Sequence, residues 1–235
     1  KYEIEIVIDE TTKQTQFVEY GSTIKNLQQP SKENHIFNGF YLDRDCKNPI
    51  NEENLIDKNL TIYVKWIDIH AIPYKVVYKG ENITDDKYSI IETNVLYGSL
   101  NEEVVAPIKT YEGLEVISSD VKGQIVLDGS LVLEVLYRRK TYEVTYIIHG
   151  EEYEKVTDLK YNTKYKLIDN VMLKGYIFRG WYVDDQFKKV ASLNQIPSHD
   201  TIVYGKLEPI TVGSSGLSYV LNPSKTGYII SSYTG

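Results

Sequence analysis

The stretch FNGFYLD at residues 37–43 returns almost unchanged as FRGWYVD at residues 178–184. Two further pairs of segments match in the same order: YEIEIVI at 2–8 with YEVTYII at 142–148, and IYVK at 62–65 with VYGK at 203–206. The spacing is 140 residues for the match beginning at Tyr2 and 141 for the other two, so a single inserted residue accounts for the difference. Three ordered matches at one spacing indicate that residues 1–68 and 141–208 are two copies of one module.

Residues that favour strands dominate the composition. Ile, Val, Thr and Tyr number 26, 21, 16 and 21, whereas Ala, the best helix former, occurs three times. Apolar side chains at Ile4, Ile6 and Ile8 recur with the period of two that is typical of a strand with one buried face. We therefore predict a mostly β or α+β fold with at most one short helix per module. In the first copy, the best place for that helix is Asn51–Asp57.

The segment between the copies, residues 69–140, has a different sequence that is also rich in strand formers. Tyr74, Val76 and Tyr78 alternate along one predicted strand. The stretch Ile125–Leu133 predicts a β-hairpin with Asp128-Gly129 at its turn, because a type I′ turn needs residues that accept positive φ angles.

Charge and hydropathy exclude several classes of partner. The net charge is −7 and the isoelectric point about 5.2, so the chain lacks the basic surface that binds phosphate backbones, and we expect no nucleic-acid partner. No apolar stretch reaches the 18 residues needed to cross a bilayer, so we expect no membrane insertion by this segment. We expect a monomer.

Residues that could carry catalysis are scattered. Neighbouring histidines among His35, His70, His149 and His199 are at least 35 residues apart, and none belongs to a short metal-binding motif. The single cysteine, Cys46, rules out an internal disulfide framework. Adjacent carboxylates such as Glu102-Glu103 point to opposite faces of a strand and cannot form the two sides of one glycosidase site. We predict no catalytic residues, no metal and no cofactor.

The two copies resemble Listeria–Bacteroides repeats, the B-repeat of internalin-type surface proteins. The resemblance rests on the Phe-x-Gly-(Phe/Trp)-Tyr motif and on the closing (Ile/Val)-Tyr-x-Lys strand. It implies non-catalytic, β-grasp-like modules arranged in tandem as an elongated array, outside a Gram-positive-type bacterium, either on its surface or secreted. The motif residues are Phe37, Gly39, Phe40 and Tyr41 in the first copy and Phe178, Gly180, Trp181 and Tyr182 in the second.

The remaining segments resemble two other families of bacterial surface proteins. Residues 69–140 resemble the MucBP repeat through Tyr74-x-Val-x-Tyr78, Tyr111-Glu-Gly113 and the Asp128-Gly129 turn. Residues 209–235 resemble a linker, with Gly213-Ser-Ser-Gly216, followed by the start of a BspA-type leucine-rich-repeat domain, cut off before its repeats. We therefore expect four parts: 1–68, 69–140, 141–208 and 209–235.

Tyrosine is the residue type that suggests binding. The chain has 21 tyrosines, and a tyrosine ring combines a large apolar area with a polar tip that suits interfaces. The candidate ligand-binding residues are Tyr74, Tyr78, Tyr97 and Tyr111, although tyrosine is also a good strand residue that packs within its own module. Through the MucBP resemblance we expect an adhesion segment that binds mucin-type glycoprotein or host polysaccharide. The alternatives are a passive spacer that projects leucine-rich repeats from the cell wall and an accessory module of a secreted carbohydrate-active enzyme.

Overall fold

The computed structural model describes residues 1–85, 87–210, 217–224 and 226–233 of the chain. In chain order the strands are β1 Tyr2–Val7, β2 Lys13–Val18, β3 His35–Tyr41, β4 Leu60–Asp68, β5 Ile72–Glu81, β6 Tyr88–Gly98, β7 Glu103–Val105, β8 Leu114–Val116, β9 Lys122–Gln124, β10 Val132–Arg139, β11 Thr141–Ile148, β12 Glu151–Lys160, β13 Tyr176–Tyr182, β14 Thr201–Pro209, β15 Leu217–Leu221 and β16 Tyr228–Tyr233. A 3₁₀ helix at Ile24–Asn26 is the one helix in these ranges. Nowhere in the described part does a helix have the length and apolar character needed to span a membrane.

The two copies fold into sheets of identical topology. Their strand orders are β2-β1-β4-β3 and β12-β11-β14-β13. In each sheet the two central strands are parallel, with Ile6 opposite Ile62 in the first copy and Tyr146 opposite Val203 in the second. The outer strands are antiparallel to their neighbours. The predicted mostly β class, with small modules in tandem, is confirmed.

Each copy has its own core on one face of its sheet. The alternation of Ile4 and Ile6 along β1 places both side chains inside, fully buried, as the period of two predicts. The core of the first copy consists of Ile4, Ile6, Val18, Ile24, Leu27, Phe40, Ile56, Ile62 and Val64. The core of the second consists of Val144, Tyr146, Ile148, Val171, Trp181, Ile196 and Val203.

The short helix of the first copy lies elsewhere than predicted. Residues 51–57 form a turn and an isolated bridge, in which the Asn51 side chain accepts a hydrogen bond from the backbone N–H of Glu53 at 2.8 Å. Such local bonds compete with helix formation. The helix forms at Ile24–Asn26 instead, where the backbone N–H of Thr23 donates to Asn26 Oδ1 at 2.8 Å and Ile24 is buried.

The middle segment contains a four-stranded sheet in the order β6-β5-β10-β8 and a separate pair, β7-β9. The predicted hairpin around Asp128-Gly129 is wrong. The turn forms, with the Gly129 N–H donating to the Val126 carbonyl at 3.0 Å, but φ is positive at Gly129 alone. That pattern fits a type I turn with glycine at its fourth position. The strands on either side belong to different sheets: β9 pairs with β7, and β10 lies between β5 and β8.

The chain divides into two compact units. The first contains Lys1–Tyr78, Ile91–Pro107 and Asp120–Val135, and the second contains Lys79–Ile90, Ile108–Ser119 and Leu136–Gly235. Each unit therefore holds one copy of the repeat together with part of the middle segment. Within the second unit the β15–β16 hairpin contacts the second copy, because the Tyr228 hydroxyl donates to the Leu173 carbonyl at 3.1 Å. The predicted Gly213-Ser-Ser-Gly216 linker lies outside the described residues.

Candidate functional site

The Phe-x-Gly-(Phe/Trp)-Tyr motif forms a β-bulge. The register of β3 against β4 shifts between Phe37 and Phe40, and that of β13 against β14 shifts between Phe178 and Trp181. Gly39 and Gly180 occupy the bulges with φ angles of +97° and +115°, which side chains disfavour. The extra residue of the bulge brings the two flanking aromatic rings into contact. Their ring centres lie 4.9 Å apart in the first copy and 5.0 Å apart in the second.

The last residue of the motif faces away from the core. The Lys65 amine lies 5.4 Å from the centre of the Tyr41 ring, and the Lys206 amine lies 5.7 Å from the centre of the Tyr182 ring. These lysines belong to the closing (Ile/Val)-Tyr-x-Lys strands, so the two sequence motifs of the repeat meet across adjacent strands. The bulges, the ring pairs and the tyrosine–lysine contacts together give each of the eight motif residues a structural role within its own copy.

The four candidate tyrosines occupy different environments. Tyr74 and Tyr78 are buried, with exposed fractions of 7% and 0%, and the Tyr78 hydroxyl donates to the Pro107 carbonyl at 2.9 Å. Tyr111 is half-buried, and its ring packs edge-on against Tyr137 with the ring centres 5.0 Å apart. Tyr97 on β6 is 67% exposed. Of the four, Tyr97 is therefore the side chain that a large ligand can reach.

Tyr97 is one of a row of exposed side chains on β6, which we call the β6 row: Ile91, Thr93, Val95 and Tyr97. The exposed fractions of its apolar members are 40%, 51% and 67% in chain order. The residues between them, Glu92, Asn94 and Leu96, are half-buried on the opposite face. An exposed apolar surface of this kind marks an interaction site more often than scattered exposed residues do.

The sequence predicted Tyr97 as a candidate and missed Ile91 and Val95. Their alternation with polar residues is visible in the sequence, but alternation is ordinarily typical of a buried face. The sequence also does not reveal where β6 lies in its sheet. β6 is 11 residues long and forms an outer edge of the middle sheet.

The outer surfaces of the two copies differ at corresponding positions. A depression of about 430 Å³ in the first copy is lined by charged side chains, including the ion pairs Lys13–Glu5 at 3.1 Å and Arg44–Glu10 at 2.9 Å. The matching depression of about 550 Å³ in the second copy has a mainly apolar lining that includes Ile147, Phe187, Ile202, Tyr204 and Leu207. The two copies thus share a fold and present different surface chemistry.

Polar contacts within the second unit join the middle strands to the second copy. Lys160 on β12 forms an ion pair with Glu81 on β5, whose side chain is 12% exposed. Glu81 also accepts a hydrogen bond from the backbone N–H of Arg139 at 2.8 Å. The Lys160 ammonium and this N–H hold the pKa of Glu81 below its ordinary value of 4.5.

Packing at the same junction is close. A Cβ atom added to Gly113 would lie 2.2 Å from two ring carbons of Tyr161, so the Tyr161 ring lies directly against the Gly113 backbone. The Arg139 guanidinium donates to the Tyr161 carbonyl at 3.1 Å, and the Ser198 hydroxyl donates to Glu112 at 2.6 Å. This junction is fixed by direct contacts and does not resemble a flexible linker.

The titratable residues that the structure describes do not converge on one point. Across the described ranges, no three His, Cys, Asp or Glu side chains lie close enough to hold a metal ion together. His70 contacts the Ser99 hydroxyl at 3.2 Å and His35 contacts the Glu33 carbonyl at 2.7 Å. Partial burial raises the pKa of the Cys46 thiol, which works against thiolate formation.

Comparison with solved structures gives a distant match. Domains 3–4 of the Streptococcal High Identity Repeats in Tandem of a cell surface protein share 14% sequence identity with the chain. The match covers 58% of this chain and 98% of the other, with a TM-score of 0.22. Among curated proteins, a putative Gly-rich membrane protein of Evansella cellulosilytica is 26% identical over 175 residues. That alignment covers 71% of this chain and 19% of the relative, so the chain spans about a fifth of the relative's length.

The comparison with family models identifies both copies of the repeat. The model of the Listeria-Bacteroides repeat domain matches residues 2–65 and 142–206, which include the bulge motif and the closing strand of each copy. The two matches together cover more than half of the chain. The protein therefore belongs to the Listeria-Bacteroides repeat domain family.

Proposed function

We propose that the chain is a non-catalytic recognition segment of a bacterial surface protein. Membership of a repeat family supports this role, as does the name of the curated relative as a membrane protein. The segment would act outside the cell, with its repeats holding a binding surface in place.

The ligand we propose is mucin-type glycoprotein or a host polysaccharide, bound on the face of β6. The observation that carries this proposal is the β6 row, in which Tyr97 is exposed beside the apolar side chains of Val95 and Ile91. A tyrosine offers a flat apolar ring for contact and a hydroxyl for hydrogen bonding. The resemblance of residues 69–140 to the MucBP repeat supports the same ligand class. Weak individual contacts would be strengthened by avidity on a surface that carries many copies.

Binding of the purified chain to a panel of immobilised mucins and polysaccharides tests this proposal. We expect saturable binding that falls at least tenfold in Tyr97→Ala. The matched control is Tyr20→Ala, because Tyr20 is even more exposed, at 81%, and lies in the first copy. Absence of binding by the folded chain, or equal losses in the two variants, would overturn the proposal.

A spacer that projects neighbouring domains is the second candidate function, and the junction within the second unit favours it. The backbone N–H of Lys140 donates to the Gly113 carbonyl, and that of Tyr161 donates to the Lys140 carbonyl, both at 2.9 Å. A spacer needs such a fixed connection between modules. Amide hydrogen exchange tests it: slow exchange at Lys140 and Tyr161 supports the spacer, and exchange at the rate of an open chain contradicts it. The domain projected would be of the BspA leucine-rich-repeat type that residues 209–235 resemble.

A further inference from the structure

Among the residues that the structure describes, strand β6 is an edge strand of unusual length and composition. It is the first strand in the order β6-β5-β10-β8, so one side of its backbone faces away from the sheet. An edge strand carries N–H and C=O groups that can pair with another strand, and proteins ordinarily protect such edges with charges, proline or shortness. Residues 88–98 contain no proline and only one charged residue, Glu92. Besides Tyr88 and Tyr97, three apolar residues there are more than one-third exposed: Ile90, Ile91 and Val95.

We propose, in place of the monomer expected from the sequence, that β6 pairs with β6 of a second copy of this chain, antiparallel and centred on Thr93. The proposal goes beyond glycan recognition because it uses the edge of the strand, whereas the proposed ligand contacts its face. Two copies related by a two-fold axis would form a continuous sheet through both middle segments. An antiparallel pair of 11-residue strands makes about ten backbone hydrogen bonds.

The side chains of β6 favour this register. With Thr93 on the axis, Thr93 lies opposite Thr93 of the second copy, and Ile91 lies opposite Val95 of the second copy. These are the β-branched pairs that stabilise neighbouring strands. Glu92, the one charged residue of the strand, lies opposite Asn94. Moving the axis by one residue to Glu92 would place two carboxylates directly opposite each other, which is unfavourable.

Pairing in this register would also place two β6 rows side by side on one face. Ile91 and Val95 of one copy would meet Val95 and Ile91 of the other, with a Tyr97 at each end. The result is an apolar surface with about twice the area of a single β6 row, with two tyrosines available to one extended ligand. Self-association would therefore strengthen binding to a polymeric ligand, although neither property requires the other.

Sedimentation equilibrium of the purified chain over a wide concentration range tests the pairing. We expect a concentration-dependent dimer of about twice the monomer mass of 27.1 kDa. Thr93→Lys places two ammonium groups on the axis and is expected to weaken dimerisation at least tenfold. The matched control is Thr15→Lys, an exposed threonine on β2, which is an edge strand of the first copy, and this variant should dimerise normally.

A charge-complementation experiment separates pairing at Thr93 from other routes to a dimer. Thr93→Lys and Thr93→Glu should each be monomeric alone and form a heterodimer when mixed. A parent chain that stays monomeric overturns the proposal, as does a dimer that Thr93→Lys and Thr15→Lys affect equally. Mucin binding measured on the same samples tests the proposed function separately, because a monomer that binds mucin contradicts only the pairing.

Discussion

Single residues determine whether neighbouring modules can approach each other, and Gly113 is the clearest case. Its φ angle of +66° and the Tyr161 ring against its backbone impose two separate requirements for glycine. Gly150 has a similar φ of +82° but no neighbouring atom within 4 Å of an added Cβ. Comparing these two positions separates backbone strain from crowding.

We predict that Gly150→Ala lowers the free energy of unfolding by about 1 kcal/mol, the ordinary cost of alanine at positive φ. Gly113→Ala should cost at least about 2 kcal/mol, because the Tyr161 ring must also move. Urea denaturation followed by circular dichroism measures both changes. Equal costs at the two sites would show that the Tyr161 ring is not held against Gly113.

At the scale of paired strands, the two copies fill the same space differently. Trp181 on β13 lies opposite Gly205 on β14, whereas the corresponding pair in the first copy is Phe40 and Val64. A Cβ atom at Gly205 would lie 2.9 Å from the Trp181 ring. The larger indole is thus accommodated by the smaller residue opposite it, as dense core packing requires.

We predict that Gly205→Val destabilises the chain by about 1–3 kcal/mol through overpacking against Ile148 and Trp181. Trp181→Phe alone should also destabilise, since it removes ring volume and the hydrogen bond from the indole N–H to the Ile168 carbonyl. The double variant restores the pair found in the first copy, so it should be more stable than the sum of the single effects predicts. A double-mutant cycle in urea measures this coupling, and additive effects would contradict it.

Strands β5 and β12 are joined through Glu81 and Lys160. The lowered pKa of Glu81 means that its carboxylate stabilises the folded chain above the ordinary pKa of 4.5, and that this contribution disappears as the pH falls through the folded-state value. We predict that Glu81→Gln costs about 1–2 kcal/mol at neutral pH and that its difference from the parent narrows below about pH 4.5.

The control for this prediction is Glu53→Gln. Glu53 pairs with Lys25 at 2.9 Å, but the two side chains are 69% and 55% exposed. An exposed pair contributes little, so the change should stay within about 0.5 kcal/mol. Unfolding free energies at several pH values between 3 and 7, roughly the range in which carboxylates titrate, distinguish the two variants. Equal effects would show that the Glu81 carboxylate is solvated.

For the molecule as a whole, one buried phenol affects stability in alkaline solution. Tyr146 is fully buried, and its hydroxyl lies 3.0 Å from that of Tyr165. Burial raises the pKa of Tyr146, followed in effect by the hydrogen bond with Tyr165. The unfolded chain therefore loses this proton first, and folding stability decreases as the pH rises above the ordinary tyrosine pKa of 10.0.

We predict that Tyr146→Phe reduces the slope of stability against pH above about pH 10 by up to about 1.4 kcal/mol per pH unit. Below that pH the difference in unfolding free energy between the variant and the parent should be constant. Tyr97→Phe, which removes the hydroxyl from an exposed ring, serves as the control. Urea midpoints in a series of alkaline buffers provide the measurement, and parallel curves for all three proteins would refute the prediction.

The sequence by itself determined the strand-rich class, the two copies and the motif that identifies them. These features depend on local order: the alternation at Ile4, Ile6 and Ile8, and the glycine that lets two aromatic rings flank a bulge. The backbone geometry that they require is set within a few residues. Resemblance then led to the family, and the family match confirmed it.

Only the tertiary structure decided which alternating faces are covered. Tyr74 and Tyr78 on β5 and Tyr97 on β6 lie in similar alternating patterns, yet the first two are buried and Tyr97 is exposed. The helix at Ile24–Asn26 likewise depends on a distant partner, because the Ile24 N–H donates to the Asn54 carbonyl. The separation of the strands around Asp128-Gly129 does so too, because the Leu131 carbonyl accepts a hydrogen bond from the Lys75 N–H. A strand's own sequence specifies two faces and two edges, but burial of either depends on which other strands lie against it.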